Sequence, residues 1–449
     1  MTALTAGTGI PRLPLAERLS YGFGDLGTSL AYNMASGFLL YYYTDVVHLP
    51  AAAVGTVFLV ARLLDAVVDA LVGVMVDRTR SRWGRTRPWF LFAALPYALV
   101  SGLVFAVPAG WSQGAQLVYA FVTFKALGLL MSAQAIPYTA LMPMMTRDPG
   151  QRLRLGGMRS VGTSVSVVLG TAATMPLVGA FGHGDLQRGF RSVAVLFAGV
   201  GLVATLALFR NCRERFDDHA AARFAVLPAV REMLHNRAWL VCFGFCLLYF
   251  IRFGLMMAAT TYFAIEVLHR PWMISVMLPA VSGMLLLSSF VAPPILARTG
   301  LRTGCAVVLV AAAALFAVLP LTEASVPAFL AVYVAACLAT SITITAAFAM
   351  IAETVDHHEA RFGTRREGLL SAGISLATKV GMALGTAGFA WLLGAVGYAP
   401  AAVSDTAREA IRWAYYGSAV VLLLGQTAVV LAWPSRPAAP TPRGVPATA

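Results

Sequence analysis

Long apolar runs separated by short polar bursts fill this chain from one end to the other. A helix that crosses the hydrocarbon core of a bilayer needs about 20 mostly apolar residues. On that measure the sequence predicts twelve spans, at 18–47, 51–76, 87–108, 114–145, 152–181, 190–209, 237–267, 272–297, 302–321, 325–353, 366–397 and 408–433. Several exceed the minimum, which implies tilt or extension beyond the membrane. The longest polar interval, 210–236, falls near the middle and leaves six spans on either side.

That division predicts an N-terminal six-helix bundle at 1–209, a central loop at 210–236, a C-terminal six-helix bundle at 237–435 and a disordered tail at 436–449. The halves echo each other weakly. Gly73 to Arg78 and Gly84 to Arg87 follow span 2, and Arg298-Thr299-Gly300-Leu301-Arg302 follows span 8. Both are basic, glycine-containing turns between the second and third spans of their half. The predicted fold is an all-α polytopic membrane protein, two six-helix bundles about a midplane site, as in the major facilitator architecture.

Composition agrees. Of 449 residues, 59% are hydrophobic and 12% are charged, where a soluble domain carries about 25% charged residues. A mean hydropathy of +0.76 over the whole chain excludes a soluble enzyme, a disordered chain and a secreted disulfide scaffold. The net charge of +13 sits in short bursts between apolar runs, not on a folded soluble face, so no nucleic-acid partner is expected. The loops at 77–87, 146–154, 210–236 and 354–366 are rich in arginine, whereas 107–113 holds no charge and 322–325 only Glu323. The positive-inside rule makes the rich loops and both termini cytoplasmic, in the cell (inner) membrane. The five cysteines lack paired extracellular spacing and read as small buried residues. The chain is expected to act as a monomer.

Charges inside the spans carry the chemistry. Asp65 and Asp69 are four apart near the middle of span 2, with Arg62 on the same stripe. Carboxylates are expensive in hydrocarbon, by about 3 kcal/mol each on insertion scales, so this stripe must face a polar cavity, a cation or a proton. Of 33 basic residues only Lys125 and Lys379 are lysine, and both lie inside apolar segments. Lys125 and Arg252 either line a cavity or pair structurally. Asp25 lies in a run containing Gly22, Gly24 and Gly27, which permit close approach or local unwinding.

Several stretches are distinctive: Leu19 to Gly24, Tyr41 to Val47, Phe58 to Asp69, Thr79 to Gly84, Ile136-Pro137-Tyr138, Arg159, Glu353 to Asp356, and Lys379. In these the chain resembles the glycoside–pentoside–hexuronide:cation symporters, the melibiose-permease branch of the major facilitator superfamily, over almost its whole length. The resemblance implies that Asp65 and Asp69 bind the coupling cation, with Ser132 supplying a hydroxyl where the family has threonine. It also implies a place for Lys379 close to that site; facing Asp65 and Asp69, Lys379 would compete with the cation, and Arg62, on the same stripe, is counted with them. Arg159 matches an arginine near the sugar. Asp25, Ser29, Gln134, Tyr138 and Ser375 complete the expected substrate site.

The chain also departs from that branch. Ser29 and Ala135 stand where it has two sugar-gripping aspartates, and Thr139 and Ile344 where it has stacking tryptophans. Val68 replaces an asparagine of its sodium site. A proton needs one carboxylate, whereas sodium needs several oxygens, so H+ is favoured over Na+ at Asp65 and Asp69; no other metal and no cofactor is expected. Asp77 and Arg85 after span 2, with Glu353, Asp356, Arg361 and Arg365 after span 10, form the expected cytoplasmic gate. The expected function is cation-coupled symport of a sugar, glycoside or related small solute by alternating access. Proton-driven export of an amphiphilic or lipid-like compound is the alternative, and a non-transporting membrane sensor the reading from another class. No nucleophile motif or zinc-ligand spacing points to an enzyme.

Overall fold

The computed structural model describes residues 13–216, 231–363 and 367–434. Arg365, the tail at 436–449 and most of the predicted central loop lie outside them. Among the described residues all twelve predicted spans are helical. The first half comprises α1 (Leu15–Gly22), α2 (Gly24–Tyr41), α3 (Ala51–Arg78), α4 (Arg87–Leu103), α5 (Gln113–Met145), α6 (Pro149–Ala172), α7 (Thr174–Gly182) and α8 (Leu186–Asn211). The second comprises α9 (Arg237–Tyr262), α10 (Ile274–Gly283), α11 (Leu285–Thr299), α12 (Leu301–Val318), α13 (Val326–Phe362), α14 (Glu367–Ala395) and α15 (Asp405–Leu431).

Seven of these segments are individually long and apolar enough to cross a membrane, and the α6–α7 pair, bent by 46°, makes an eighth. The other four spans differ in build. Span 1 breaks at Phe23, between α1 and α2. In span 2, α3 carries Arg62, Asp65 and Asp69 within its apolar sequence. Span 3 is α4, of 17 residues. Span 8 breaks at Met284, between α10 and α11.

Local chemistry sets the ends. Asp148 caps α6 by accepting the backbone N–H groups of Gly150 and Gln151 at 3.2 Å, with Pro149 opening the helix. Asp185 caps α8 through the Arg188 N–H at 3.1 Å. Span 10 continues as helix nine residues past its predicted end, to Phe362, and stops where Gly363 takes φ 69°. Glu353, Asp356 and Arg361 therefore stand on a helix and not on a loop.

A second finding was not anticipated. Spans 1 and 7 both end in a single π-helical turn, Tyr42–Val46 and Phe263–Val267. Each is followed by a histidine at positive φ, His48 at 64° and His269 at 53°. The sequences match as acid-Val-aliphatic-His-x-Pro: Asp45 to Pro50 and Glu266 to Pro271. This is a sharper internal repeat than the basic turns after spans 2 and 8.

The chain forms two compact units. Unit 1 contains residues 1–220, 260–283 and 387–408; unit 2 contains 221–259, 284–386 and 409–449. The units do not follow chain order, because the ends of spans 7 and 11 and the start of span 8 join the first. Within unit 1 the Tyr398 hydroxyl donates to Asp45 Oδ1 at 2.7 Å, and Thr44 Oγ1 lies 2.5 Å from the Tyr262 hydroxyl. Near its arginine-rich end a core of Tyr21, Phe90, Tyr138, Leu141, Leu155 and Leu208 is almost completely buried. In unit 2 Trp239 donates to the Leu370 carbonyl at 3.1 Å, and the Tyr333 and Tyr415 hydroxyls meet at 2.7 Å.

Without a hydrophobic drive between helices in lipid, close backbone approach holds them together. A Cβ on Gly162 of α6 would overlap the Gly22 carbonyl, and one on Gly22 would lie 2.9 Å from Met158 Cβ. Gly162→Ala is expected to destabilise the protein by about 1–3 kcal/mol in detergent denaturation, the range for overpacking. Gly156→Ala on the same helix, with nothing within 4 Å of its Cβ, is expected to be neutral or slightly stabilising.

Candidate functional site

The acidic stripe of span 2 sits on α3 and is read by α5. Both aspartates meet α5 in step. Asp65 lies against Gly128, where an added Cβ would come within 2.8 Å of its Oδ2. One turn further, Asp69 Oδ1 accepts the Ser132 hydroxyl at 2.5 Å. The four-residue spacing on α3 thus matches the four-residue spacing from Gly128 to Ser132 on α5. Asp65 is buried at 7% exposure, and Asp69 is half-buried.

Asp65 is ion-paired to Lys125 of α5 through Oδ1. Lys125 was, with Arg252, an intramembrane cation for which the resemblance supplied no role. Arg62 instead turns its guanidinium over the rings of Tyr32 and Phe124, at 4.9 and 5.4 Å. Lys379 lies on α14, in unit 2.

A second constellation gathers on α2, α5 and α6. Asp25 is 6% exposed and lies 3.6 Å from Arg159 Nε. Its carboxylate also accepts the hydroxyls of Thr163 and Thr28. The Arg159 guanidinium covers the Tyr138 ring at 4.4 Å and donates to Thr139 Oγ1 at 3.3 Å. The Tyr138 hydroxyl in turn donates to the Tyr21 carbonyl at 2.5 Å. Gly24 makes this possible, since a Cβ there would strike the Tyr138 ring. The glycine run of span 1 therefore serves close approach.

The other expected substrate residues are placed less centrally. Ser29 lies 3.3 Å from Thr28 Oγ1. Gln134 is fully buried, with Oε1 accepting Thr205 Oγ1 at 3.0 Å. Ser375 is exposed on α14 in unit 2.

At the arginine-rich end of unit 1, Asp77 and Arg85 pair at 3.7 Å within the first half of the chain. Glu353, Asp356 and Arg361 belong to unit 2. The stronger arrangement here is one the sequence reading missed. Glu214 accepts the backbone N–H groups of Arg85, Thr86 and Arg87 at 2.7–3.1 Å, and the Thr86 hydroxyl at 2.7 Å. These N–H groups open α4, where a negative charge is stabilised by the helix dipole. Gly84 at φ 100° makes the turn, and any Cβ there would collide with the Glu214 carboxylate.

Next to it, buried Glu17 takes a two-pronged bond from Arg215, at 2.7 and 2.9 Å, and the Arg213 N–H at 3.2 Å. Those bonds push the Arg215 guanidinium above its ordinary pKa, while burial pushes the adjacent Cys212 thiol up to about 12. The available signal was the alternation Arg213-Glu214-Arg215 directly after span 6, which lacks meaning until the 84–87 loop is placed beside it.

Comparisons with known proteins decide the family. The description MFS/sugar transport protein matches residues 20–434. The chain belongs to that family. It is 31% identical over 412 residues to an isoprimeverose transporter of Lactiplantibacillus pentosus, covering 90% of this chain and 85% of that one. It is likewise 31% identical over 390 residues to the inner membrane symporter YicJ of Escherichia coli (strain K12), covering 86% and 84%. In fold it is similar to a bacterial homolog of the human lysosomal transporter Spinster in an inward-facing, unoccupied conformation. The TM-score is 0.69 at 15% identity, over 93% of this chain and 95% of that one. The protein is thus a multi-pass membrane transporter of the major facilitator fold, not an enzyme.

Glu214→Ala is expected to cost about 1–3 kcal/mol in chemical denaturation, because it strands three backbone donors and a hydroxyl. Glu214→Gln, which keeps one acceptor oxygen, should lose clearly less. Equal losses would show that the carbonyl oxygen does not matter and that the cap is not what holds this segment.

Proposed function

We propose that this transporter couples downhill entry of a proton to uptake of a glycoside or small oligosaccharide across the inner membrane, with both termini cytoplasmic. The observation that carries the coupling is the paired geometry on α3 and α5. Two carboxylates lie one helical turn apart inside a membrane span, each with its own partner on the neighbouring helix. Asp69, half-buried and bonded to a neutral hydroxyl, is the group best suited to take and release a cation during transport. A valine at position 68 leaves fewer oxygens for sodium, which favours the proton. Lys379, the lysine of the family pattern, belongs to the same coupling machinery in this reading, with Arg62 beside the acidic stripe.

The substrate side rests on Asp25, Arg159 and Tyr138, with Ser29, Gln134 and Ser375 as neutral hydrogen-bonding groups. Charge-assisted bonds from a carboxylate and a guanidinium suit sugar hydroxyls. Relatives named as an isoprimeverose transporter and a symporter support this class. Asp77, Arg85, Glu353, Asp356, Arg361 and Arg365 remain the proposed cytoplasmic gate. Binding of cation and substrate shifts the balance of inward- and outward-open forms only through different affinities for the two.

In proteoliposomes with an imposed inward proton gradient, the wild-type protein is expected to accumulate a radiolabelled xylose-containing disaccharide such as isoprimeverose. Asp69→Asn should lose accumulation at least tenfold while retaining substrate exchange without a gradient. Undiminished accumulation by this variant would refute the coupling role. Efflux of a lipophilic dye in place of glycoside flux would establish the export reading.

A further inference from the structure

The two acidic residues of α3 meet α5 in different ways. Lys125 reaches from α5 to Asp65 Oδ1, and both side chains are largely withdrawn from water, at 18% and 10% exposure. Gly128, three residues along the same helix, leaves room for the Asp65 carboxylate to lie against the α5 backbone. Asp65 is therefore held on α5 by an ammonium and by a missing side chain together. From the same helix Ser132 offers Asp69 a neutral hydroxyl.

We propose that Lys125 is a tethered counter-ion that fills the Asp65 half of the acidic site and so excludes sodium and lithium from it. An alkali cation has to exchange its hydration shell for several protein oxygens at once. With Asp65 engaged by an ammonium on the same protein, those oxygens cannot converge on a mobile ion without first breaking a buried ion pair. Removing one partner of such a pair leaves an uncompensated charge. Lys125 thus determines cation selectivity without being consumed or released in the cycle. Its position is permanent because it is covalently part of α5. The valine at position 68 acts in the same direction, so two separate features weaken alkali-metal binding at one place.

The proposal deepens the symport reading and rests on it for its biological meaning, but its test needs no substrate. Sodium and lithium chloride serve as probes, titrated calorimetrically into purified full-length protein in choline buffer. Four proteins form the cycle: wild type, Val68→Asn, Lys125→Met, and both changes together. Circular dichroism and thermal melting establish that each is folded. Wild type is expected to show no saturable binding of either ion, and Val68→Asn at most weak binding. The double variant should bind with at least tenfold higher affinity than Val68→Asn, and adding Asp65→Asn to it should remove that gain.

Where Lys125→Met folds poorly, Lys125→Met with Asp65→Asn removes both charges and should recover the melting temperature, since no bare carboxylate is left. Saturable sodium binding by wild type would overturn the proposal. So would equal binding by Val68→Asn with and without Lys125, or absence of binding in every folded variant that lacks Lys125 and keeps Asp65. Failure of glycoside uptake by the wild type would defeat the symport reading instead, and would leave the pattern of sodium binding unaltered.

Discussion

A carboxylate inside a membrane span has to be answered by something, and in this protein the answer to Asp65 is a lysine on the neighbouring helix. The energetic asymmetry is large: insertion scales charge about 3 kcal/mol for a single ionised residue at mid-span, whereas a paired couple is neutral overall. That pairing fixes the register of α3 against α5, since Asp65 can lie against the helix only where Gly128 leaves space. Once this register is set, Asp69 falls opposite Ser132 one turn along. The coupling role proposed for Asp69 would thus follow from a constraint imposed at Asp65.

The same logic, with different groups, organises the rest of unit 1. Asp25 is buried, and Arg159 and two threonine hydroxyls satisfy it. Glu17 is buried, and Arg215 satisfies it. Glu214 is satisfied by the start of α4. Apart from Thr28, which shares α2 with Asp25, each partner comes from a different helix or from the segment after one, so these polar contacts pin helices that lipid alone would not order. Glycines at 22, 24, 27 and 162 then let backbones approach within the reach of those side chains. The second half has no equivalent of the acidic stripe. In the register of the Asp45 and Glu266 repeat, Asp65 and Asp69 correspond to Leu286 and Phe290, so the structural repeat is not a chemical one.

How far the sequence reached depended on distance along the chain. Span positions were legible because hydrocarbon thickness imposes a length on each apolar run. Asp65 and Asp69 were legible because a helix puts residues four apart on one face. What joins different helices was not. Lys125 stands out as a lysine in an apolar run, but its partner lies 60 residues away and is identified only when α3 and α5 are packed. Glu214 looked like one charge in a basic loop, and its three amide donors lie 127 to 129 residues earlier. The extension of α13 to Phe362 was missed because charged residues after Glu353 end the apolar signal without ending the helix. The repeat ending in histidine and proline was present in plain sequence, and only the matching π turns drew attention to it.

Having only two lysines makes the central contact unusually accessible. Protein labelled with 15N at lysine Nζ and 13C at aspartate Cγ, reconstituted in lipid, gives two ammonium signals in solid-state NMR. A Lys379→Arg variant assigns the one from Lys125. The account predicts strong dipolar dephasing of the Lys125 signal by a carboxylate carbon, abolished by Asp65→Asn and unaffected by Asp69→Asn. A Lys125 signal that shows no dephasing, or that loses it only when Asp69 is replaced, would contradict it.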